Sequence, residues 1–303
     1  MMLNDLRHRF SSVLEVLHEL IHHPSGIAGL VILSIIILIT ILAPVISPYD
    51  PTTQDWENIL SPPSIDHLFG TDEYGRDVMS RIFWGSRITL MAGLFVVSIA
   101  ALIGTILGLV AGYYEGIIGN IIMRLTDLFL AFPSLLLAIL IVATIGRGIM
   151  NAMLALVVSW WPWYCRLAYG QTLSIKQELY IEAEKSIGAS DLRIIFRHIL
   201  PQAFPPILVQ ITMDLGYAIL AEASLSFIGL GVRPPTPEWG SMIAEARKYL
   251  LRGCWWLFLW PGIFLFLAII GFILLGDGLN DILNPKIRSL MELRRLYKSQ
   301  HLL

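Results

Sequence analysis

Apolar runs long enough to cross a lipid bilayer recur along this sequence, and they limit its fold more than any other feature. A helix of about twenty residues rises 1.5 Å per residue and crosses a hydrocarbon layer roughly 30 Å thick. Because a backbone in lipid has to satisfy its own hydrogen bonds, such runs form helices. The runs lie at about 26–46, 88–113, 117–145, 150–171, 204–230 and 255–275. The sequence therefore predicts an all-α integral membrane protein with six transmembrane helices.

Composition agrees with a membrane protein and excludes two other classes. Hydrophobic residues make up 56% of the chain and charged residues 15%, whereas about a quarter of the residues of soluble domains are charged. The net charge of −2 comes without a long basic tract, so we expect no nucleic acid partner. Cys165 and Cys254 lie in or beside apolar runs and cannot build a disulfide framework or a zinc site.

One polar, charge-balanced segment, residues 174–201, interrupts this apolar sequence. Its local signals predict two short helices around a turn. Ser174 and Gln177 have the spacing of a capping box that starts the first helix. Gly188 suits the left-handed residue that ends it. Ser190 can cap the second helix, and Pro201 predicts a new start.

The same segment resembles the cytoplasmic EAA loop of type I ABC importer permeases. That pattern reads Glu-Ala-Ala, three residues, Gly, nine residues, Ile, one residue, Leu-Pro; here Glu184 replaces the second Ala and His198 replaces the Ile. The resemblance implies that the loop docks on an ATPase subunit and passes its movement to the membrane helices. A solvated helical loop without a partner is the alternative. The implied coupling residues are Glu182, Ala183, Glu184, Gly188, Asp191, Arg193, His198, Leu200 and Pro201.

Further blocks resemble the C-type subunit of the oligopeptide, dipeptide and nickel permease family. They lie at 67–77, 123–133, 234–240 and 275–286. Together with the EAA-like loop they imply a type I ABC importer (MetI-like) permease fold. The block at 67–77 either takes part in binding or forms a loop braced by its own charges. The extracytoplasmic motif residues are Gly70, Asp72, Gly75, Arg76, Asp77, Glu238, Trp239 and Gly240.

Two acidic residues fall inside the fifth apolar run. Asp214 and Glu222 would each cost on the order of 2.5–3.5 kcal/mol at the bilayer centre, so we expect them to face a translocation path or a partner within the protein. In the second run, Gly104, Gly108 and Gly112 recur every four residues, which predicts close helix packing. Pro133 predicts a kink in the third run.

The N-terminal stretch carries a competing motif. Residues 18–22, His-Glu-Leu-Ile-His, match the H-E-x-x-H pattern of zinc proteases, in which two imidazoles share a helix face with a glutamate. Such a site also needs a third ligand and a cleft, which a short segment before a membrane span does not offer. We therefore interpret residues 1–24 as an amphipathic cytoplasmic segment and the first run as a retained anchor.

The predicted organisation follows from these assignments. Residues 25–48 are the first span, 49–87 an extracytoplasmic segment, 88–283 the permease core and 284–303 a basic cytoplasmic tail. Lys and Arg are modestly more frequent on the side of both ends and the 174–201 loop. Together with this bias, the resemblance of that loop implies a multi-pass inner membrane protein with both termini cytoplasmic.

No Walker A pattern occurs in the sequence, so we expect no cofactor in this chain, and ATP and Mg would bind on partner ATPases. The resemblance implies a homologous second permease, two ATPases, an extracytoplasmic solute-binding protein and surrounding lipid as partners. We predict import of di- or oligopeptides, with oligosaccharides or nickel chelates as the alternatives.

Overall fold

The computed structural model describes residue 16 and residues 18–283 of the chain. The predicted tail at 284–303 and most of the predicted N-terminal segment lie outside the described residues. The described helices are α1 (Pro24–Ile46), α2 (Val78–Tyr114), α3 (Gly116–Leu130), α4 (Ser134–Ile145), α5 (Ile149–Lys176), α6 (Leu179–Ser186), α7 (Asp191–Ile194), a π-helical turn (Ile195–Ile199), α8 (Leu200–Phe227), α9 (Trp239–Ala246), a 3-10 turn (Arg247–Arg252) and α10 (Trp256–Leu283).

Four helices of the described chain are long and apolar enough to span a membrane. They are α1, α2, α10 and the continuous helix Asp191–Phe227, and a fifth span is reached if α3 and α4 cross together. Helix α5 occupies the fourth predicted run but is less apolar, since Asn151, Arg166 and several tryptophans lie within it. The all-helical membrane fold is confirmed, while the count of six spans stays a prediction.

The longest interface of the fold joins α2 to α5. A Cβ on Gly104 would lie 2.3 Å from the Trp161 carbonyl oxygen, and one on Gly108 would lie 2.4 Å from the Cys165 carbonyl oxygen. A Cβ on Gly112 would lie 2.7 Å from the Thr172 Cβ. The two backbones can approach this closely only because these positions lack side chains, so the predicted packing groove is confirmed.

The third predicted span is broken rather than kinked. Helices α3 and α4 meet at 88°. Pro133 is the N-cap of α4 and has no N–H to continue the preceding helix. The residue before a proline also disfavours helical backbone, and the break falls there.

Helix α2 starts at Val78, ahead of the predicted start at 88. Residues 78–87, which were predicted to belong to the extracytoplasmic segment, are therefore part of this helix. Polar side chains at the start of α2 had suggested a loop, but they are buried and have polar partners. Ser80 donates to Asp77, and Arg81 pairs with Glu245. With 37 residues, α2 extends about 55 Å at 1.5 Å per residue. We call the end of the molecule at Tyr113 the hairpin end and the end at Val78 the motif end.

Candidate functional site

The polar segment 174–201 folds as a helical hairpin at the hairpin end. Helix α6 ends at Ser186, and Gly188 turns the chain with φ of +81°. Nothing lies within 4 Å of a Cβ built on Gly188, so the backbone angle, not space, calls for glycine. The predicted turn is confirmed. We call residues 177–199 the coupling hairpin, because most of the predicted coupling residues lie in it.

Two predicted boundaries of the hairpin are wrong. Ser174 lies inside α5, which continues to Lys176, and Glu178 is the N-cap of α6. Ser190 does occupy the N-cap of α7, although its hydroxyl makes no capping hydrogen bond. Pro201 does not begin a separate helix, because the π-helical turn Ile195–Ile199 precedes it and the helix runs on from Asp191 to Phe227.

The coupling hairpin is seated on the ends of α2 and α5 by apolar packing. Ile181, Ile194 and Ile199 are fully buried. They belong to one cluster with Leu109 and Ala168. Burying isoleucine contributes roughly 1.5–3 kcal/mol per side chain, so the hairpin is held as a body against the membrane helices.

Polar contacts converge on Tyr113 at the end of α2. Its hydroxyl donates to Asp191 Oδ1 at 2.7 Å. Lys176 Nζ donates to the Tyr113 carbonyl at 2.6 Å and to the Glu115 carboxylate at 2.7 Å. The hydrogen bond from Lys176 to Glu115 holds the pKa of Glu115 below its ordinary value. Lys185 Nζ lies 5.4 Å from the Tyr113 ring centroid. Tyr113 could not be predicted from the sequence, because no local signal singles out one tyrosine at the end of an apolar helix.

The outer surface of the coupling hairpin carries large exposed apolar side chains among its charged residues. Leu179 is 81% exposed, Ile187 77% and Leu192 65%. Phe196 on the π-helical turn is half exposed as well. Apolar side chains gathered on a short polar segment are typical of a protein docking surface.

The predicted coupling residues divide between this surface and its support. Glu184, His198 and Leu200 are half-buried, and Asp191 is bonded to Tyr113. Those that face outward are Glu182, Ala183, Gly188, Arg193 and Pro201.

A cavity of about 390 Å³ with both polar and apolar lining residues opens between the ends of α5, α8 and α10. Gln171, Gln202 and Asn280 line it with side-chain amides, together with Pro205 and Pro206. Each proline lacks an N–H, so a carbonyl one turn earlier in α8 loses its helical donor. The cavity thus offers both donors and acceptors.

At the motif end, the charges of the 67–77 block satisfy one another. Asp72 accepts from Arg76 Nε at 2.6 Å and lies 3.3 Å from Arg81 Nε. Both arginines also reach Glu245 of α9, at 3.6 and 3.4 Å. Asp77 caps α2 by accepting from the Ser80 backbone N–H at 2.8 Å. This geometry favours the self-braced interpretation of the block.

The glycines of this block permit turns in tight places. Gly70 and Gly75 have φ of +74° and +72°. A Cβ on Gly75 would lie 1.7 Å from the Asp55 carbonyl oxygen. The two turns therefore need glycine both for the backbone angle and for space.

Glu238, Trp239 and Gly240 anchor α9 to α2 and α8. Glu238 caps α9 by accepting from the backbone N–H groups of Gly240 and Ser241 at 2.6 and 2.8 Å, and burial raises its pKa. Trp239 Nε1 donates to the Ile82 carbonyl at 3.0 Å. A Cβ on Gly240 would lie 2.3 Å from the Ala223 carbonyl oxygen. These residues position α9 and leave no group free for a ligand.

The two acidic residues of α8 have partners inside the chain. Asp214 accepts from Gln210 Nε2 at 2.8 Å, and Glu222, which is fully buried, accepts from Ser226 Oγ at 2.8 Å. Of the two interpretations given above, the structure favours an internal partner for Glu222. The coupling hairpin and the motif end are thus at opposite ends of α2, and the structure does not bring their predicted residues together.

Residues 18–22, which match the H-E-x-x-H pattern, are helical, as expected of an amphipathic segment. His22 Nδ1 donates to the His18 carbonyl at 2.7 Å, and the two imidazole rings are 4.5 Å apart. In residue 16 and residues 18–283, no three His, Cys, Asp or Glu side chains are grouped so that they could hold a metal ion.

Two family models match this chain. The model described as "Binding-protein-dependent transport system inner membrane component" matches residues 104–289. The model described as "N-terminal TM domain of oligopeptide transport permease C" matches residues 12–63. Between them they cover both the coupling hairpin and the first span.

Curated relatives match along most of the chain. The dipeptide transport system permease protein DppC of Alkalihalophilus pseudofirmus is 42% identical over 91% of this chain and 90% of that protein. The probable D,D-dipeptide transport system permease protein DdpC of Escherichia coli is 44% identical over 87% of this chain and 88% of that protein. The glutathione transport system permease protein GsiD of Pectobacterium atrosepticum is 45% identical over 88% of each.

Among solved structures, a chain of the MetNI methionine ABC transporter in an inward-facing form has a similar fold. The TM-score is 0.51 at 18% sequence identity, over 68% of this chain and 97% of that one. At this identity the likeness supports the fold alone.

Proposed function

We propose that this chain, which belongs to the family of inner membrane components of binding-protein-dependent transport systems, forms half of a peptide import path that partner ATPases drive through the coupling hairpin. The observation that carries the proposal is the apolar outer surface of the hairpin. Leu179, Ile187 and Leu192 are exposed on a segment whose inner face is firmly seated on α2 and α5. A surface of this kind suits a partner that pushes on it.

The ATPase is a separate subunit in this proposal. The sequence has no Walker A pattern that could cradle nucleotide phosphates, so ATP and Mg bind on the partners and this chain holds no cofactor. A homologous second permease completes the path, two ATPases dock on the two coupling hairpins, and an extracytoplasmic binding protein delivers the substrate. The complex lies in the inner membrane with the hairpin end and both termini on the cytoplasmic side.

We assign di- or oligopeptides as the substrate class. The relatives described above carry the names of dipeptide, D,D-dipeptide and glutathione transport systems, and glutathione is itself a tripeptide. The cavity lined by Gln171, Gln202 and Asn280 supports this choice, since side-chain amides can donate to and accept from peptide bonds. Oligosaccharides and nickel chelates are alternative outcomes of the test below.

Two observations weigh against the zinc protease hypothesis. In residue 16 and residues 18–283 no third His, Cys, Asp or Glu completes a metal site with His18 and His22, and family membership assigns the chain to a transporter. Bound zinc together with proteolysis by the purified chain would revive it.

The proposal is tested by purifying the tagged chain from native membranes in a gentle detergent. We expect an ATPase and a second permease to co-purify with it. After reconstitution with the binding protein, labelled dipeptide should enter vesicles only with ATP. A chain that purifies alone, or a complex that imports sugar or nickel chelates but no peptide, would contradict the proposal or its substrate class.

A matched pair of variants tests the docking surface. Leu192→Asp places a charge on the exposed hairpin, and we expect the co-purified ATPase to fall about tenfold. Leu68→Asp changes a leucine of similar exposure at the motif end and should leave the bound ATPase unchanged. Equal losses in the two variants would mean that the hairpin surface is not the docking site.

A further inference from the structure

The two positions at which the 182–201 segment departs from the pattern it resembles face each other in the folded hairpin. Glu184 stands where that pattern has Ala, and His198 stands where it has Ile. Glu184 lies on α6, and His198 lies in the π-helical turn beyond Gly188. Glu184 Oε1 is 3.6 Å from His198 Nε2. The two residues that differ from the pattern, Glu184 and His198, are therefore in contact in the folded chain.

Each side chain of this contact depends on the other. Glu184 Oε2 and His198 Nε2 are buried atoms without a hydrogen bond in the described chain, so the 3.6 Å approach of Glu184 Oε1 to His198 Nε2 is the polar contact that the structure gives these two side chains. The ring of Tyr180, one turn before Glu184, flanks the imidazole with the ring centroids 6.4 Å apart. A buried polar atom without a partner costs free energy, so removal of either side chain leaves the other in an unfavourable site.

The contact joins two parts of the hairpin that have different tasks. Glu184 is on α6, close in sequence to the exposed Ile187 of the docking surface. His198 is followed at once by the fully buried Ile199 and by Leu200, where α8 begins. The pair thus connects the surface that a partner would push with the start of a membrane helix.

We infer that Glu184 and His198 are a matched pair of positioning residues that holds α6 against the start of α8, and so determines how much of the ATPase movement reaches the membrane. An Ala and an Ile at these positions would join the same two elements by apolar packing instead. The inference rests on the proposed function, because it assigns a role within ATP-driven import.

The test is a double-mutant cycle on the reconstituted full complex. The variants are Glu184→Ala, His198→Ile and the two together, and the measured quantity is peptide imported per ATP hydrolysed. We expect each single variant to lower this ratio about fivefold, because one buried polar group loses its partner. The double variant should return to within about twofold of the wild type, since replacing both partners by apolar groups can be nearly neutral.

Glu57→Ala is the matched control. Glu57 is exposed and lies outside the coupling hairpin, and its carboxylate makes no ion pair or hydrogen bond within the described chain, so the ratio should stay unchanged. Subunit stoichiometry and thermal unfolding of each complex separate coupling from assembly. If the single variants fail to assemble, the double variant should restore assembly.

Three results would overturn the inference: unchanged ratios in both single variants, a double variant whose loss is the product of the two single losses, or a double variant that also fails to assemble. A wild-type complex without ATP-dependent import is a different result, because it contradicts the proposed function itself. A working wild type with no recovery in the double variant contradicts only the matched pair.

Discussion

At the scale of residues, Tyr113 joins the coupling hairpin to α2, a helix of 37 residues. Its hydroxyl donates to Asp191, its backbone carbonyl accepts from Lys176, and its ring faces Lys185. Three different kinds of contact from three parts of the polar segment therefore meet on one residue at the end of α2. Movement of the hairpin cannot leave α2 unaffected while these contacts hold.

Tyr113→Phe should loosen the hairpin without unfolding the chain. The lost hydrogen bond to a carboxylate is worth about 1.5–3 kcal/mol, whereas the ring and its packing are kept. We expect faster hydrogen exchange of the backbone amides of residues 179–199 and little change elsewhere.

The matched control for this variant is Tyr217→Phe. The Tyr217 hydroxyl is half exposed and makes no hydrogen bond within the described chain, so its loss should not alter exchange in the hairpin. Unchanged hydrogen exchange in Tyr113→Phe would mean that apolar packing against α2 and α5 is sufficient to hold the hairpin.

Single residues were predictable where a local rule decides the conformation. Gly188 is such a residue, since a left-handed backbone angle is a property of the turn itself. Ser174 was misassigned, because the continuation of α5 depends on packing against α2, which a capping pattern cannot reveal. The partner of Glu222 was not predictable for the same reason, since the cost of an unpaired acid in lipid predicted only that it would face either a translocation path or a partner within the protein.

At the scale of elements, close backbone packing between helices gives the fold its rigidity. The glycine stripe of α2 brings it against α5, and Gly29 of α1 approaches Leu275 of α10 in the same way. In lipid the apolar surfaces of helices gain little from contact with each other, so such steric fit carries much of the association.

Gly108→Ala should weaken the interface between α2 and α5. The new Cβ would lie 2.4 Å from the Cys165 carbonyl oxygen and 2.7 Å from the Ala168 Cβ. Overpacking of this kind costs typically about 1–3 kcal/mol, and we expect a lower thermal unfolding temperature of the purified complex.

Gly170→Ala provides the control on α5. Nothing lies within 4 Å of a Cβ at Gly170, and alanine favours a helix over glycine by about 1 kcal/mol. This variant should match or exceed the wild type in stability. A Gly108→Ala complex as stable as Gly170→Ala would show that α2 and α5 are farther apart in the assembled transporter.

Element boundaries were predicted less well than the elements themselves. Each apolar run is helical in the structure, but α2 begins earlier because Asp77 and Arg81 find buried partners from α9 and the 67–77 block. Pro201 does not stop its helix because the π-helical turn accommodates it. These outcomes depend on contacts between distant segments, which periodicity and turn residues do not encode.

At the scale of the whole molecule, two long helices connect the hairpin end with the motif end. Helix α2 runs from its N-terminal capping residue, Asp77, to Tyr113. The continuous helix Asp191–Phe227 runs from the coupling hairpin to the contacts with α9. The motif end is fastened by the buried charges of Asp72, Arg76 and Glu245. A displacement applied at the hairpin therefore has a direct mechanical route to the opposite end.

The most direct test of this account is the amount of peptide imported per ATP hydrolysed by complexes that carry Gly188→Leu or Gly188→Asn. Leucine at φ of +81° costs roughly 1–2 kcal/mol and changes the angle of the hairpin, whereas asparagine tolerates this backbone angle. We predict that ATP hydrolysis persists in both complexes, that import per ATP falls about fivefold or more with leucine, and that it stays near the wild type with asparagine. Unchanged import per ATP in Gly188→Leu would contradict the claim that the coupling hairpin transmits the work of the ATPase.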